Sequence, residues 1–493
     1  MSLNIMKAAF HTLGCKVNSY ETQSIREQFE ALGFLIVPFD EPADVYVINT
    51  CSVTAVGAQK SRQMIHKAKK TNPDAIVVAT GCYAQETAGE LSARGNVSDP
   101  LGMWRPSPKA TDGSSSSPAA LTDLLSGADF IFGNNEKSKI AEAVFNYIKE
   151  SHPACSSAEI KIDSFGFSEV NASTDPGFFP KEKSLYSGSR IFAEDLSKCR
   201  AFESQRISGY DEKVRAYVKI QDGCDRFCSY CIIPFLRGRS RSRNYDDIIN
   251  ETLGLIKCGY KEIVITGIDL STFKICKERD LSLIDLLEEI DAMPGIERIR
   301  LGSLEVSVVT EDFARRASAL KTLCPQFHLS LQSGSASVLK RMNRHYTPDE
   351  YFAALTMLKK YFQNPAITTD IIVGFPGETE EEFHETLAFV EKCGFSKCHV
   401  FPYSRRKGTR ADKMPGQLTR NEKALRVRKL SLAAERLSKE YEKSFSGKPV
   451  KVLIEEFTFE AGIKYCLGFS PEYIKYKFPD EGFHINDIVE IIP

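Results

Sequence analysis

Apolar and polar positions along the first 150 residues switch repeatedly between two periods. Residues 7–13 (KAAFHTL) form a short apolar run that ends in Gly14 and Cys15. From residue 18 to residue 32 the apolar positions Ile25, Phe29 and Leu32 fall at helical spacing and stop at Gly33. Residues 44–49 (DVYVIN) read as a buried strand running into Thr50 and Cys51, and residues 55–70 as a basic helix closed by Asn72 and Pro73. A third strand, residues 75–80 (AIVVAT), ends in Gly81 and Cys82; residues 129–133 (DFIFG) predict a fourth, and residues 137–149 a closing helix. Strand–helix–strand alternation predicts a wound parallel sheet. In such a sheet the carboxyl ends of the strands share one edge, where ligands bind. Cys15, Cys51 and Cys82, each just past a strand end, would therefore converge. The competing possibility is three core cysteines, a common place for that residue.

The pattern lapses twice before it resumes. Residues 94–126 are rich in Ser, Pro, Gly and Ala around an SSSSP run, which predicts a flexible surface insertion. It holds Trp104, the one tryptophan. Residues 151–212 are irregular and read as a long linker. From residue 213 onward six strands are predicted at 215–221, 262–266, 298–302, 327–331, 368–374 and 397–402, with helical stretches between them. That is the pattern of a partial (β/α)6 barrel. Polar motifs follow the strand ends at 267–269, 303–305, 332–334 and 375–378. A charged helix at 424–441 leads to residues 444–493, where apolar and polar positions alternate and turn residues intervene. This predicts a small antiparallel β-barrel. The expected chain is α/β overall: residues 1–150, a linker at 151–212, a barrel at 213–443 and a β-domain at 444–493.

Bulk properties narrow the function class. The 493 residues suffice for two or three domains. A hydrophobic share of 42% and a charged share of 26% are those of an ordinary soluble protein. With a formal net charge of −1, nucleic-acid contact has to come from local basic patches rather than the overall field. The start MSLNIMKAAF lacks the apolar core of a signal peptide, and no run of about 18 apolar residues predicts a membrane span. Fourteen cysteines in such a chain point to thiolate metal binding in the cytoplasm rather than to disulfides.

Residues 218–243 (VKIQDGCDRFCSYCIIPFLRGRSRSR) concentrate the chemistry. Cys224, Cys228 and Cys231 form a C-x3-C-x2-C array between an apolar run and a basic one. Three close thiolates suit soft metals or an iron–sulfur cluster. Structural zinc would want a fourth Cys or His, and none lies within the array. A [4Fe–4S] cube held by three cysteines keeps one iron open to a small molecule.

With these motifs in place, the chain resembles the radical S-adenosylmethionine methylthiotransferases. That family joins an N-terminal domain with three cluster cysteines, a radical domain with C-x3-C-x2-C, and a C-terminal RNA-binding β-domain, the TRAM domain. The stretches HTLGCKVNSYET (residues 11–22) and RGRSRSR (residues 237–243) look like the branch acting on N6-threonylcarbamoyladenosine in tRNA. The resemblance implies two [4Fe–4S] clusters, one on Cys15, Cys51 and Cys82 and one on Cys224, Cys228 and Cys231. It implies S-adenosylmethionine as cofactor, with Phe227, Tyr230, Thr266, Gly267, Ser303, Glu305, Ile372 and Gly374 beside it. It implies a transferase that converts a C–H bond at C2 of the base, position 37 beside the anticodon, to C–SCH3, with chemistry borne by the cofactors rather than by a catalytic side chain. An electron donor of the flavodoxin or ferredoxin kind would be a partner. The same chemistry on isopentenyladenosine or on a ribosomal-protein side chain remains open, as does a non-catalytic iron–sulfur carrier or RNA-binding sensor.

RNA contacts are expected at local basic groups. Arg237, Arg239, Arg241 and Arg243 recur every second residue and would share one face of an extended loop toward phosphates. SRRKGTR (residues 404–410) offers Arg405, Arg406 and Arg410 after the last barrel strand, and Tyr473 and Lys477 give the terminal domain aromatic and basic groups.

Overall fold

The structure is a computed structural model that describes residues 5–92, 125–151, 190–210, 214–276 and 280–493. Most of the 94–126 insertion, with Trp104, and residues 152–189 lie outside the described residues. The chain divides into two compact units, Met1–Ile207 with Ile232–Arg239, and Ser208–Cys231 with Ser240–Pro493.

The first unit is a six-stranded sheet in which every pairing is parallel. Its strands are β1 (Lys7–Thr12), β2 (Leu35–Val37), β3 (Val45–Thr50), β4 (Ile76–Gly81), β5 (Phe130–Phe132) and β6 (Arg190–Phe192), in the order β2-β1-β3-β4-β5-β6. Successive side chains of a strand face opposite ways, and the two faces of β3 feed two cores. Tyr46 and Ile48 pack with Ile65 and Val77 on one side, while Val45 and Val47 pack with Phe29, Val78 and Val144 on the other. Helix Ala55–Thr71 supplies Ile65, and helices Lys16–Ala31 and Ile140–Ser151 supply Phe29 and Val144. A doubly covered sheet accounts for the unbroken apolar runs of β3 and β4.

The linker expectation is corrected at its end. Residues 190–192 are the sixth strand, paired with β5 in register from Phe130↔Arg190 to Phe132↔Phe192. Three stacked rings hold it: Phe132 and Phe192 lie 4.7 Å apart, centroid to centroid. Three residues are too few for a period-two signal to rise above an irregular neighbourhood.

In the second unit β7 (Arg215–Lys219), β10 (Glu262–Thr266) and β13 (Arg298–Leu301) form one parallel sheet. The short pair β8 (Gln221–Asp222) and β9 (Arg241–Ser242) and the hairpin β11 (Lys274–Cys276) and β12 (Asp280–Ser282) flank it. β14 (Ser303–Leu304), β15 (Gln326–Leu329), β16 (Ala366–Val373) and β17 (Lys397–Pro402) continue in parallel. β13 and β14 are one strand broken at Gly302, so six strand positions form the partial barrel that the pattern predicts. Capping boxes start three of the long helices: Thr347 with Glu350, Thr379 with Glu382 and Thr419 with Glu422.

The C-terminal segment is a four-stranded antiparallel sheet, β20-β19-β18-β21, made of β18 (Val450–Glu460), β19 (Ile463–Phe469), β20 (Lys475–Pro479) and β21 (Ile488–Ile491). Arginines at the amino ends of the barrel strands hold it. Arg298 donates to the carbonyls of Phe469 (2.9 Å) and Lys451 (3.0 Å), and Arg300 to those of Pro471 (2.8 Å) and Ser470 (3.2 Å). Arg215 pairs with Glu455 at 2.7 Å.

Candidate metal centres

In the first unit the strand ends deliver three thiols to one place. Cys15 is the N-cap of helix Lys16–Ala31, Cys82 opens helix Cys82–Ser92, and Cys51 follows β3. The glycines before Cys15 and Cys82 make the turns. Gly14 and Gly81 have φ of +109° and +92°, a region side chains rarely enter. A Cβ on Gly14 would stand 3.3 Å from Cys51 Sγ, and one on Gly81 would stand 2.5 Å from the Thr50 carbonyl oxygen. Burial pushes the Cys51 thiol up to about 11; the Cys82 thiol and then Cys15 push the same way, while a Val53 backbone hydrogen bond and Arg237 pull it back. A gathering of three cysteines in which burial and neighbouring thiols oppose ionisation of Cys15 and Cys51 suits a cationic metal group, which removes the penalty. Burial pushes the Cys15 thiol up as well, against the pull of Arg237; two of the three cysteines sit at helix amino termini, and Asn134 Nδ2 lies 3.8 Å from Cys82 Sγ.

In the second unit Cys224, Cys228 and Cys231 lie on the loop after β8. Burial pushes the Cys224 thiol far up; the Arg226 backbone N–H, 3.5 Å from its sulfur, opposes this. Segment 341–346 (RMNRHY) pins the loop. Ser229 N and Oγ donate to the carbonyls of Met342 (2.9 Å) and Arg341 (2.8 Å), and Asn343 Nδ2 donates to that of Phe227 (3.0 Å). Arg344 Nη1 lies 3.2 Å from Cys228 Sγ. Phe227 itself is held at φ +48°. Donors on sulfur and a constrained loop fit a thiolate-bound cluster at this set too. Among the described residues no group of three or more His, Cys, Asp or Glu side chains closes on a single-ion site.

The other expected cofactor residues divide. Thr266 is buried at the end of β10, and Gly267 packs against Gln221. Glu305 grips Arg344 at 2.5 Å. Tyr230 and Ile372 pack on one apolar cluster with Val338, Met342, Phe375, Tyr403 and Ala411. Ser303 is exposed, and Gly374 N donates to Glu378 Oε2 at 2.6 Å in the turn after β16. Arg226, Cys228, Glu305, Asn343, Arg344 and Tyr346 line part of a cleft of about 170 Å³.

Most of the arginine expectation is overturned. Arg237 is fully buried in the first unit, bidentate to Glu21 at 2.9 and 3.1 Å and donating to Asn18 Oδ1 at 2.7 Å. Arg241 and Arg243 are buried in the second unit; Arg243 meets Glu251 at 2.6 Å, and Arg241 approaches Asp222 at 4.0 Å. Every-second-residue spacing presents one face only in an extended chain. Here helix Ile233–Arg237 and a turn at Gly238 break the extension. Arg239 is half-buried. Arg406 is buried as well, while Arg405, paired with Asp412 at 2.5 Å, and Arg410 stay exposed. Tyr473 is turned inward: it stacks on Phe469 at 4.7 Å, with the Arg300 and Arg215 guanidinium groups 4.7 and 5.0 Å from its ring centre. Lys477 is exposed, pairing with Glu460 beside the Tyr465 ring.

Several residues escaped sequence reasoning. Gln221 Oε1 accepts from the backbone N–H groups of Ile268 (3.0 Å) and Asp269 (2.8 Å), while its Nε2 donates to the Gly223 carbonyl (2.8 Å). It ties the cysteine loop to the loop after β10. Asn343, Arg344 and Tyr346 escaped because nothing local marks RMNRHY. His328 Nε2 lies 3.3 Å from Asp370 Oδ2, a pairing that only the parallel register of β15 and β16 creates.

Comparison with known proteins agrees with this arrangement. Residues 218–390 match the radical SAM superfamily, and residues 7–101 match the uncharacterized protein family UPF0004. Among solved structures, the radical S-adenosylmethionine methyltransferase TsrM from Kitasatospora setae aligns with a TM-score of 0.51 at 15% identity, over 83% of this chain and 77% of that one. A partial parallel barrel with a three-cysteine loop and this superfamily match define a radical S-adenosylmethionine protein. Threonylcarbamoyladenosine tRNA methylthiotransferase MtaB of Bacillus subtilis is 34% identical over 98% of this chain and 92% of its own length. The Aquifex aeolicus counterpart is 34% identical over 92% and 93%. A tRNA-2-methylthio-N(6)-dimethylallyladenosine synthase of Clostridium novyi is 30% identical over 90% and 84%. The chain belongs to the MtaB family of radical SAM tRNA methylthiotransferases.

Proposed function

We propose that this protein installs a methylthio group at C2 of N6-threonylcarbamoyladenosine in tRNA, at position 37 of the anticodon stem-loop. The observation that carries it is the full-length likeness to MtaB proteins, which spans both cysteine sets and the C-terminal sheet. Cys224, Cys228 and Cys231 would hold one [4Fe–4S] cluster and Cys15, Cys51 and Cys82 a second, each with one iron open. When bound, these groups and S-adenosylmethionine supply the one-electron cleavage and the sulfur chemistry that an unreactive aromatic C–H demands. The chain contributes position. Gln221 holds the backbone beside the cysteine loop, and the Tyr230 side of the loop is backed by an apolar wall that keeps water out. Exposed Arg405 and Arg410, with exposed Lys407 between them, are the basic groups of the 404–410 loop left for phosphate contact. The electron donor is proposed to be a flavodoxin- or ferredoxin-like protein in the cytoplasm. No helix among the described residues is long and apolar enough to cross a membrane.

Nucleoside analysis of tRNA from a deletion strain is the test. Methylthiolated threonylcarbamoyladenosine should vanish while the unmethylthiolated nucleoside accumulates. Its persistence would sink the proposal. Loss of the methylthiolated isopentenyl nucleoside instead would move the chain to the other tRNA branch.

A further inference from the structure

Arg344, a cation 3.2 Å from Cys228 Sγ, belongs to neither the expected cofactor shell nor the RNA-binding arginines. We propose that Arg344 is a positioning residue that raises the reduction potential of the group held by Cys224, Cys228 and Cys231, through its hydrogen bond to Cys228 Sγ. This rests on the proposed cluster at those cysteines.

All three guanidinium nitrogens are committed. Nη1 reaches Cys228 Sγ at 3.2 Å, and Nη2 reaches the two Glu305 carboxylate oxygens at 2.5 and 2.6 Å. Nε lies 3.2 Å from Tyr346 Oη, and that hydroxyl is itself anchored on the Ser330 and Leu331 carbonyls, both at 2.7 Å. The side chain of Arg344 is only 5% exposed. Residues from three places in the barrel thus fix one planar cation against one sulfur. A structural Arg–Glu pair has no need of the thiol; here the fork is divided between carboxylate and sulfur. Hydrogen bonds to cluster sulfurs are among the protein's levers on potential. Reduction adds a negative charge, so a donor with positive charge at the sulfur favours the reduced state. Glu305, holding the other guanidinium nitrogen, offsets part of that charge. Removing the cation and removing its counterion should therefore shift the potential in opposite directions, which loss of mere packing would not do.

The test is a dithionite titration of the anaerobically reconstituted full chain, followed by electron paramagnetic resonance of the signal that changes when S-adenosylmethionine is added. Arg344→Met should move its midpoint to more negative potential, an about tenfold fall in the reduced-to-oxidised ratio at fixed potential, or about 59 mV for one electron. Glu305→Gln should move it the other way, and Arg344→Lys should recover part of the loss. Unchanged midpoints in the Met and Gln variants, with the signal intact, overturn the proposal. If Arg344→Met does not load iron, Glu305→Gln decides alone: an upward shift supports the proposal and none overturns it. A wild-type chain without any cofactor-responsive signal would fail the functional proposal instead.

Discussion

Arg237 shows how one side chain can be misplaced by a sound local rule. Its neighbours Arg239, Arg241 and Arg243 suggest an electrostatic stripe, yet its guanidinium closes on Glu21, which Lys137 also holds at 2.6 Å. Glu21, Lys137 and Arg237 are all fully buried. Without Arg237, Glu21 keeps Lys137, so what is lost is the set of charge-assisted hydrogen bonds to Glu21 and Asn18, worth about 1.5–3 kcal/mol each. Arg237→Met should therefore lower the unfolding free energy by about 2–3 kcal/mol, read as a shift in urea midpoint. A phosphate-binding arginine would instead leave stability alone and reduce the salt dependence of tRNA binding by about one ion. His328 and Asp370 carry the same lesson: 42 residues apart, they meet only through strand register.

At the scale of elements, the junction between a strand and the helix after it does the positioning. β4 ends on Gly81 and the helix opens on Cys82, so the thiol's direction is set by one left-handed residue. A Cβ at Gly81 would lie 2.4 Å from Asn49 Oδ1 and 2.5 Å from the Thr50 carbonyl. Gly81→Ala has to shift the junction and, with it, Cys82. Iron analysis after reconstitution should find about four irons per chain instead of about eight, with the 224–231 set still loaded. Full loading in that variant would show that the left-handed Gly81 junction is not what holds Cys82 in place. The strands and helices around such junctions were legible beforehand from local pattern: the unbroken apolar run of β3 between turn signals, or Ile25 and Phe29 at helical spacing in the first helix. β2 and β6 were not legible, since three residues bear too little pattern and owe their place to β1 and β5.

At the scale of the whole chain, each unit is held by charge as well as apolar packing. In the second, Glu262 is buried beneath Arg300, Arg298 and Arg215, the arginines that anchor the C-terminal sheet. Burial pushes its carboxyl up, but the Arg300 ion pair and hydrogen bonds, with Arg215 and Arg298 behind, outweigh this and hold it below its ordinary value of 4.5. A carboxyl with a depressed folded pKa contributes stability above its unfolded value and loses it as pH falls through the folded one. Wild-type stability should thus decline below about pH 4.5. In Glu262→Gln the protein should be less stable at neutral pH and show a shallower acid decline, measured as unfolding midpoint against pH. An equal acid slope in both proteins would remove Glu262 from that role.

The amino-acid sequence by itself determined the longer elements, their parallel winding, the two three-cysteine sets and the family. Each depends on short-range period or on residues placed at strand ends, and both survive any detail of packing. Tertiary structure alone decided which charges face solvent and which are spent inside. It sent Arg237, Arg241 and Arg243 to buried carboxylates, turned Tyr473 onto two arginines, and brought Arg344 to Cys228 across 116 residues. Burial and ion pairing are set by what arrives from elsewhere in the chain, and no window of sequence contains that.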